Sequence, residues 1–325
     1  MGFLVTGLTA YTEQNEQQLV SASLFEARTQ QLILSEGNVM TGVKSSQTIN
    51  RMDTDVFFQD DSSCGFLSSG TTEWSQRTLT TGKVKVQETL CPKDLEAVYL
   101  QKSLPAGGNY DSIAFAAEYT ARKAGKIAEA LETAIWTATG SGYGGTNGLL
   151  NKFKGIKQHI SEAGGSVVNA NVTGFYGTGA PITGIDTMEK AQKAVLAVIN
   201  ALPAAVKGKA DVRIFCGWDV YTLLIQKYVD LNLFHYNPGS TNNAANSEFL
   251  VPGTSYKVVP VHGLNGTNDI YAMRMSNIFL GVDLISEEDQ FELWYSQDDR
   301  NVKFSANLKI GVQIAFPDEV VKFEA

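Results

Sequence analysis

Charged residues are scarce in this 325-residue chain: Asp, Glu, Lys and Arg together make up 18% of it, against about 25% in an ordinary globular protein. Acidic residues outnumber basic ones, and the formal net charge is −8. A protein that coats nucleic acid needs a basic surface. The composition therefore argues against that class of protein.

Cysteines and long apolar runs are also rare. Cys64, Cys91 and Cys216 share no close spacing, so neither a disulfide framework nor a zinc knuckle is indicated. No apolar run approaches the roughly 18 residues of a membrane-spanning helix. The first 27 residues contain no Lys or Arg, which a secretory signal requires. These absences favour synthesis in a reducing cytoplasm.

No pattern in the chain indicates catalysis or cofactor binding. Gly140, Gly142 and Gly145 have the spacing of a dinucleotide-binding loop, but they follow a long helical pattern where that motif requires a strand. A flexible junction is the better interpretation. The three histidines are far apart and have no carboxylate pattern around them. We therefore expect no enzyme activity, no metal site and no cofactor.

A long alternating segment lies near the C-terminus. Between Asn301 and Pro317 every even position is apolar, and the odd positions are mostly polar. A period of two predicts a strand with one buried side and one side facing solvent. At about 3.3 Å per residue, this ribbon would extend roughly 50 Å.

A helical pattern of similar length occurs earlier in the chain. From Asp111, a good N-cap, to Gly140, apolar residues recur every three or four positions. The pattern predicts an alanine-rich helix of roughly 39 Å that packs along the terminal ribbon. Gly125 interrupts the pattern, which indicates a bend or a close contact.

A smaller α/β unit is predicted between the helix and the ribbon. Asp186 and Glu189 form a capping box at the start of one helix, and Asp219 is the predicted cap of a second. Between them, the segment DVRIFCG is typical of a buried strand. Cys216 at its end is more typical of a small buried hydrophobe than of a nucleophile.

Two segments in the first hundred residues lack the apolar residues for a core of their own. Residues 1–45 are rich in Gln, Ser, Thr and Asn, and we expect an arm that lies on another surface. Residues 73–80 and 83–90 have strand-like patterns around Thr81-Gly82, which predicts a β-hairpin. A lone hairpin is marginally stable in water, so we expect this one to project and to find its partner elsewhere.

The order of these parts resembles the major capsid proteins of tailed bacteriophages, which have the Hong Kong 97-type fold. The resemblance is carried by three stretches: WSQRTLTTGKVKVQETLCPKDLE, RIFCGWDVYTLLIQKYVDLNLFHYN and IFLGVDLISEEDQFELWYSQDDRNVKFSANLKIGVQIAFPDEVV. It implies an α+β fold of four parts. These are an N-terminal arm (1–45), an extended loop (46–95), a peripheral domain with spine helix and long strands (96–140 and 275–325) and an axial α/β domain (141–274).

The resemblance also implies a function. The chain would assemble with copies of itself into hexamers and pentamers and form the icosahedral or prolate head around double-stranded DNA. Further partners would be portal, scaffolding and decoration proteins, with weak contact to packaged DNA and none to a membrane. The protein would be synthesised in the host bacterial cytoplasm and would reside in the virion.

The resemblance gives four candidate inter-subunit contacts: Trp74, Arg77, Lys83 and Lys85. Some relatives join an extended-loop lysine to an asparagine of a neighbour. Lys83 and Lys85 lie in the corresponding region of this sequence, but no signature fixes such a bond.

Three alternatives remain at this point. An encapsulin, the shell protein of a bacterial nanocompartment, would have the same fold and a different gene neighbourhood. A secreted β-rich binding protein would need a signal sequence and usually paired cysteines. An enzyme built on the α/β unit would need polar residues converging at the strand ends, where the sequence offers Cys216.

Overall fold

The fold comes from a computed structural model, which describes residues 28–60, 65–66, 68–90, 112–140, 151–172, 181–231, 248–283, 291–296, 298 and 301–325. The helices in these ranges are α1 (Arg28–Glu36), α2 (Ser112–Thr137), α3 (Ile156–Ala163), α4 (Met188–Ala201) and α5 (Trp218–Asp230). The strands are β1 (Asn38–Thr41), β2 (Ser46–Thr54), β3 (Thr72–Thr80), β4 (Gly82–Leu90), β5 (Val168–Asn169), β6 (Val212–Cys216), β7 (Phe249–Leu250), β8 (Lys257–Pro260), β9 (Ile270–Arg274), β10 (Ile278–Val282), β11 (Phe291–Ser296), β12 (Asn301–Ile314) and β13 (Val321–Phe323). The α+β composition agrees with the fold class expected from the sequence.

The predicted terminal ribbon is strand β12, the centre of a five-stranded sheet. Strand β4 pairs with one edge of β12, and β11 and β10 pair in succession with the other, all antiparallel. Strand β1 adds to β10 in parallel. Every even residue of β12, from Val302 to Ile314, is buried, which confirms the predicted apolar face.

The prediction that the other side of β12 faces solvent is wrong for the C-terminal half of the strand. In that half Lys309 and Gln313 are buried as well, and in the N-terminal half Ser305 is buried. Gln313 donates from Nε2 to the carbonyl oxygen of Thr78 at 2.8 Å, and Lys309 Nζ lies 2.8 Å from the Asp283 carboxylate. Neighbouring parts of the chain therefore cover this half on both sides, whereas the N-terminal half keeps a partly exposed polar side.

The predicted long helix is α2, and it shares one apolar core with β12. Leu131 and Ile135 of the helix belong to the same buried cluster as Phe304 and Leu308 of the strand. Lys123 of the helix also forms an ion pair with Glu88 of β4. A close contact does not explain Gly125, because an added Cβ there would have no atom within 4 Å.

The core at the end of α2 is organised by Trp136, a residue that the sequence analysis did not single out. Its ring lies 5.1 Å from the ring of Phe215 and 6.0 Å from that of Tyr271. Its indole Nε1 donates to Thr29 Oγ1 at 2.9 Å. Thr29 in turn donates from its amide and hydroxyl to the buried carboxylate of Glu132, whose pKa is raised by burial. Helix α1 is thereby fixed to helix α2.

The second sheet has the order β5-β13-β9-β6-β8-β7 and forms its own core with α4 and α5. All five residues of β6 are buried, which confirms the predicted strand. Cys216 is a buried residue of that core, and burial raises the pKa of its thiol. This environment agrees with the interpretation of Cys216 as a small hydrophobe.

The two N-caps predicted in the α/β unit are wrong by one or two residues, and Asp111, the predicted cap of the long helix, lies outside the described residues. Thr187 caps α4, and its hydroxyl accepts from the amide of Lys190 at 3.3 Å, while Asp186 forms an ion pair with the Lys190 side chain. Gly217 is the N-cap of α5. Asp219 lies inside the first turn, where its carboxylate accepts from the amide of Gly266 at 3.1 Å.

The hairpin predicted from residues 73–80 and 83–90 is also wrong. Both strands form, but they do not pair with each other. Strand β3 pairs with β2, whereas β4 pairs with β12. The reason is the apolar face of β4: Val84, Val86 and Leu90 pack against the core around β12. Strand β3 has no comparable row, so the chain before Thr81 lies outside the five-stranded sheet and pairs with β2.

Candidate functional site

Strands β2 and β3 form a hairpin that extends from the body of the protein. All nine residues of β2 pair with β3 in an antiparallel register, from Ser46 opposite Thr80 to Thr54 opposite Thr72. Within the two strands, Ile49 and Leu79 are the buried side chains. An exposed two-stranded ribbon is marginal by itself, so the way in which its base is held determines its orientation.

A small apolar cluster holds the base of the hairpin. Ile49 and Leu79 pack with Val43 and Ala315. Leu79 also lies against Gly281 of β10, where an added Cβ would collide with the Leu79 side chain. The glycine therefore allows the base to approach the sheet closely.

Two arginines bind the same base to the end of β12. Arg51 donates from Nη1 to the carbonyl oxygen of Ala315 at 2.7 Å, and Arg77 donates from Nη1 to that of Ile314 at 2.8 Å. Burial, followed by the nearby charge of Arg51, lowers the pKa of Arg77. Arg77 is thus a contact within the subunit, and its position gives no support to the predicted inter-subunit role.

The far end of the hairpin, residues 52–74, is both apolar and acidic; we refer to it as the tip. Phe58 and Phe66 are 91% and 95% exposed, and Trp74 is 74% exposed opposite Met52. Such a concentration of exposed apolar side chains is typical of an interaction surface. The tip has no Lys or Arg, and its acidic residues are Asp53, Asp55, Asp60, Asp61 and Glu73.

The sequence analysis found one part of the tip and missed the other. Trp74 is on the hairpin, as expected from the resemblance, and its exposure suits an intermolecular contact. The phenylalanines of the tip were not singled out, because they follow neither a helical nor a strand period. The signal that could have found them is the apolar segment VFF inside a 23-residue stretch without a basic residue.

Lys83 and Lys85 lie elsewhere than predicted, on β4 in the body of the protein. Both are exposed on the polar side of the five-stranded sheet, where Trp294 is also exposed and Lys303 is half-buried. We call these four residues the lysine face. Lys85 is directly opposite Asn307 of the same chain.

A cavity of about 470 Å³ lies beneath the hairpin base. It is lined by Arg77, Thr78, Thr80, Gly140, Lys152, Phe153, Lys154, His159, Glu162 and Gln313. His159 Nε2 is 2.8 Å from the carbonyl oxygen of Val312 and must donate to it; burial lowers the pKa of His159 to about 4. Glu162 is engaged by Lys154 at 2.7 Å. His159 and Glu162 are thus both held in structural contacts.

Two further searches bear on function. Within the described ranges, no group of three or more His, Cys, Asp or Glu side chains could hold a metal ion. Over the same part of the chain, no helix has the length and apolarity needed to cross a membrane.

Comparison with known proteins gives a likeness in structure without one in sequence. No protein-family model and no curated protein sequence matches the chain. Its structure matches the satellite phage P4 procapsid that includes the size determination protein, with a TM-score of 0.62, 10% identity and coverage of 95% of this chain and 90% of the other. The capsid of Myoviridae phage XM1 matches with a TM-score of 0.54 and 13% identity, over 90% of this chain and 90% of the other. The virus-like particle from Pyrococcus furiosus matches with a TM-score of 0.51 and 12% identity, over 97% of this chain and 99% of the other. The chain has the Hong Kong 97-type capsid fold.

Proposed function

We propose that this protein is the major capsid protein of a tailed bacteriophage, assembling into hexamers and pentamers that form an icosahedral or prolate head around double-stranded DNA. The observation that carries the proposal is the combination of a capsid fold with an apolar hairpin tip that is exposed in the single chain. A tip with this composition gains stability when another surface covers it.

The physical argument concerns where the hairpin finds its missing partner. Two strands in water are marginal, and these are anchored to the body at their base alone, by the apolar contacts of Ile49 and Leu79 and the hydrogen bonds of Arg51 and Arg77. Contact with a neighbouring copy would supply the third surface. Obligate interfaces bury about 2,000–5,000 Å² in total, and weak contacts repeated around a closed shell add up to a durable container.

We assign the parts of the chain in the terms of this fold. Residues 1–45 are the arm, 46–95 the extended loop, 96–140 and 275–325 the peripheral domain, and 141–274 the axial domain. Two observations refine the assignment: β4 within 46–95 pairs with β12, and β13 within 275–325 belongs to the second sheet. The projecting part of the extended loop is therefore residues 46–80.

The partners and location follow from the same proposal. The main partner is the chain itself, and portal, scaffolding and decoration proteins are the further partners of a phage head. An acidic chain suits a wall that holds packaged DNA loosely, because tight DNA binding depends on basic contacts with phosphates. The protein would be made in the host bacterial cytoplasm and would act structurally in the virion, not as an enzyme.

A shell protein of an encapsulin-like nanocompartment is the second candidate. It is favoured by the Pyrococcus furiosus virus-like particle, which is covered over 99% of its chain. Particles isolated from the native host distinguish the two. Double-stranded DNA and a portal at one vertex support the phage head, whereas a DNA-free shell that contains a cargo protein supports the nanocompartment.

Electron microscopy and sedimentation of the purified protein test the proposal. We expect pentamers, hexamers or closed shells from the parent chain. Replacing residues 55–71 by Asn-Gly, which suits a two-residue hairpin loop, should leave a folded subunit that builds no shells. A parent that stays monomeric over a wide range of salt and concentration would contradict the proposal. Normal shells from the shortened protein would show that the tip is not the assembly contact.

A further inference from the structure

The cavity beneath the hairpin base differs in charge from the chain as a whole. Its lining contains three cationic side chains, Arg77, Lys152 and Lys154, and one carboxylate, that of Glu162. The remaining basic residue of the lining, His159, is neutral at pH 7, because burial lowers its pKa to about 4. The whole chain has a formal net charge of −8. A concave site with an excess of positive charge concentrates anions, so the cavity is suited to an anionic ligand.

Arg77 keeps hydrogen-bond donors for such a ligand. A guanidinium carries five N–H groups, and Arg77 uses Nη1 to donate to the carbonyl oxygen of Ile314. Among the described residues, its Nε and Nη2 groups have no partner. These two groups lie on one edge of the guanidinium and can donate in parallel to two oxygens of one anion. Burial lowers the pKa of Arg77, so its charge is partly desolvated and gains more from an anion than a fully hydrated charge would.

Lys154 supplies a second positive charge from another part of the chain. Its Nζ lies 2.7 Å from the carboxylate of Glu162, and an ammonium has three N–H groups, so it can serve a further acceptor. Besides burial, the charges of Lys154 and Arg77 both lower the pKa of His159. The two cations therefore lie around the same part of the cavity. Of the two carboxylates that act on Arg77, Glu162 lines the cavity and Asp318 does not.

We infer that this cavity binds a phosphate group, either free or as part of a small nucleotide. Two cations from separate elements suit an anion with about two negative charges, which a phosphate has at pH 7 and a single carboxylate does not. The volume of about 470 Å³ is larger than a phosphate ion needs and is typical of small-molecule sites. The ligand would contact β3 through Arg77 and the segment before α3 through Lys154, and would thereby fix the hairpin base to the body. The inference goes beyond the proposed function and does not depend on it.

Isothermal titration calorimetry of the folded protein tests the inference, with sodium phosphate and adenosine monophosphate as probes and NaCl to keep the ionic strength constant. Arg77→Met removes the unused donors, and Lys154→Met removes the second charge. Arg51→Met is the control for the first variant, because it loses a hydrogen bond of the same hairpin base but does not line the cavity. Lys126→Met is the control for the second, because it loses an exposed ion pair of the same kind, 2.6 Å from Glu129. Circular dichroism establishes that each variant is folded.

We expect saturable phosphate binding by the parent, at least tenfold weaker binding by Arg77→Met and by Lys154→Met, and the parental affinity in both controls. Phosphate should also slow hydrogen exchange in β3 of the parent and leave β3 of Arg77→Met unchanged. A nucleotide that binds at least tenfold more tightly than phosphate identifies the nucleotide as the ligand, and any smaller preference identifies phosphate itself.

Three results would overturn the inference: no saturable binding of either probe, parental affinity in both cavity variants, or succinate binding as tightly as phosphate. Calorimetry measures binding whether or not the protein has assembled, so none of these results affects the proposed function. A parent that binds phosphate but forms no particles would overturn the proposed function and leave the phosphate site intact.

Discussion

Strands β3 and β4 are separated by one residue, Thr81, and have nine residues each, yet they take opposite courses. Strand β4 stays in the body and pairs with β12 along its whole length. Strand β3 leaves the body with β2, and Leu79 is its one buried side chain. The difference lies in side-chain order: three apolar residues of β4 share a face, whereas those of β3, Trp74 and Leu79, lie on opposite faces.

This comparison teaches that alternation predicts a strand and its faces but not its partner. A one-residue change of register exchanges the two faces of a strand. The row of Val84, Val86 and Leu90 fits the apolar face of β12, and this match selects β12 over the adjacent β3. The strand that lacks such a row is the one available for contacts outside the chain.

The largest effect is expected from a substitution in β12, the strand with which β4 pairs. Phe304→Asp places a carboxylate in the core shared by β12 and α2, where Phe304 is buried, and burying an unpaired charge costs several kcal/mol. We expect no soluble folded protein. Lys303→Ser, one residue away on the opposite side, should express and melt almost like the parent. Similar behaviour of the two variants in expression and melting assays would contradict the assignment of faces.

The second-largest effect is expected from a substitution at the base of the hairpin. Leu79→Ala removes the side chain that fills the space against Gly281, and such Leu→Ala changes cost about 2–5 kcal/mol. We expect a lower free energy of unfolding and faster hydrogen exchange in β2 and β3 than in β4. Equal acceleration in β4 would mean that the two strands unfold as one unit, and Val86→Ala provides the matched change on β4.

The cavity below the base gives a pH dependence. The pKa of His159 is about 4 in the fold and 6.5 without it, so the unfolded chain takes up the proton first as the pH falls. The contribution of His159 to the free energy of unfolding should therefore be fully present above pH 6.5 and fall by about 3 kcal/mol between pH 6.5 and 4. Denaturant titrations across this range check it. His159→Gln should flatten the dependence; an unchanged slope would assign it to other groups.

A smaller effect is expected where the hairpin is held by hydrogen bonds. Arg77→Met keeps much of the side chain but removes the bond to Ile314, and a hydrogen bond of a charged group contributes about 1.5–3 kcal/mol. The melting temperature should fall slightly while β2 and β3 stay paired. Arg51→Met, which removes the bond to Ala315, is the companion change. A loss much larger than this would show that the cavity beneath also collapses.

The smallest effect on stability and the clearest on assembly should come from the tip. Phe58→Ser alters a side chain that is 91% exposed, and surface changes of this kind stay within about 0.5 kcal/mol. We expect an unchanged melting curve and a reduced yield of shells. A marked loss of stability would place Phe58 in a contact within its own chain.

The sequence predicted most of the elements and fewer of their relations. The buried face of β12, the length of α2 and the buried strand β6 follow from periodicity, which records how each segment meets its surroundings. The pairing of β4 does not, because its partner β12 is more than 200 positions away in the chain. Cap positions failed for a local reason: Asp186 and Thr187 are both able to cap, and the backbone decides between them.

The candidate site was less predictable than the fold. Trp74 was identified through the resemblance, but Arg77 contacts its own subunit and Lys83 and Lys85 lie on the sheet. Phe58 carries no periodic signal, because it lies outside the strands and is 91% exposed. Exposed residues between regular elements leave little trace in the periodicity of a sequence.

The single-residue connection at Thr81 has a mechanical consequence. Tension applied to the tip by a neighbouring subunit passes through β3 and Thr81 directly into β4. That strand is hydrogen-bonded to β12 over nine consecutive residue pairs, so a pull along its axis must shear all of them at once instead of opening them one after another. A wall built from such subunits would resist internal pressure by loading β12, the longest of the described strands, lengthwise.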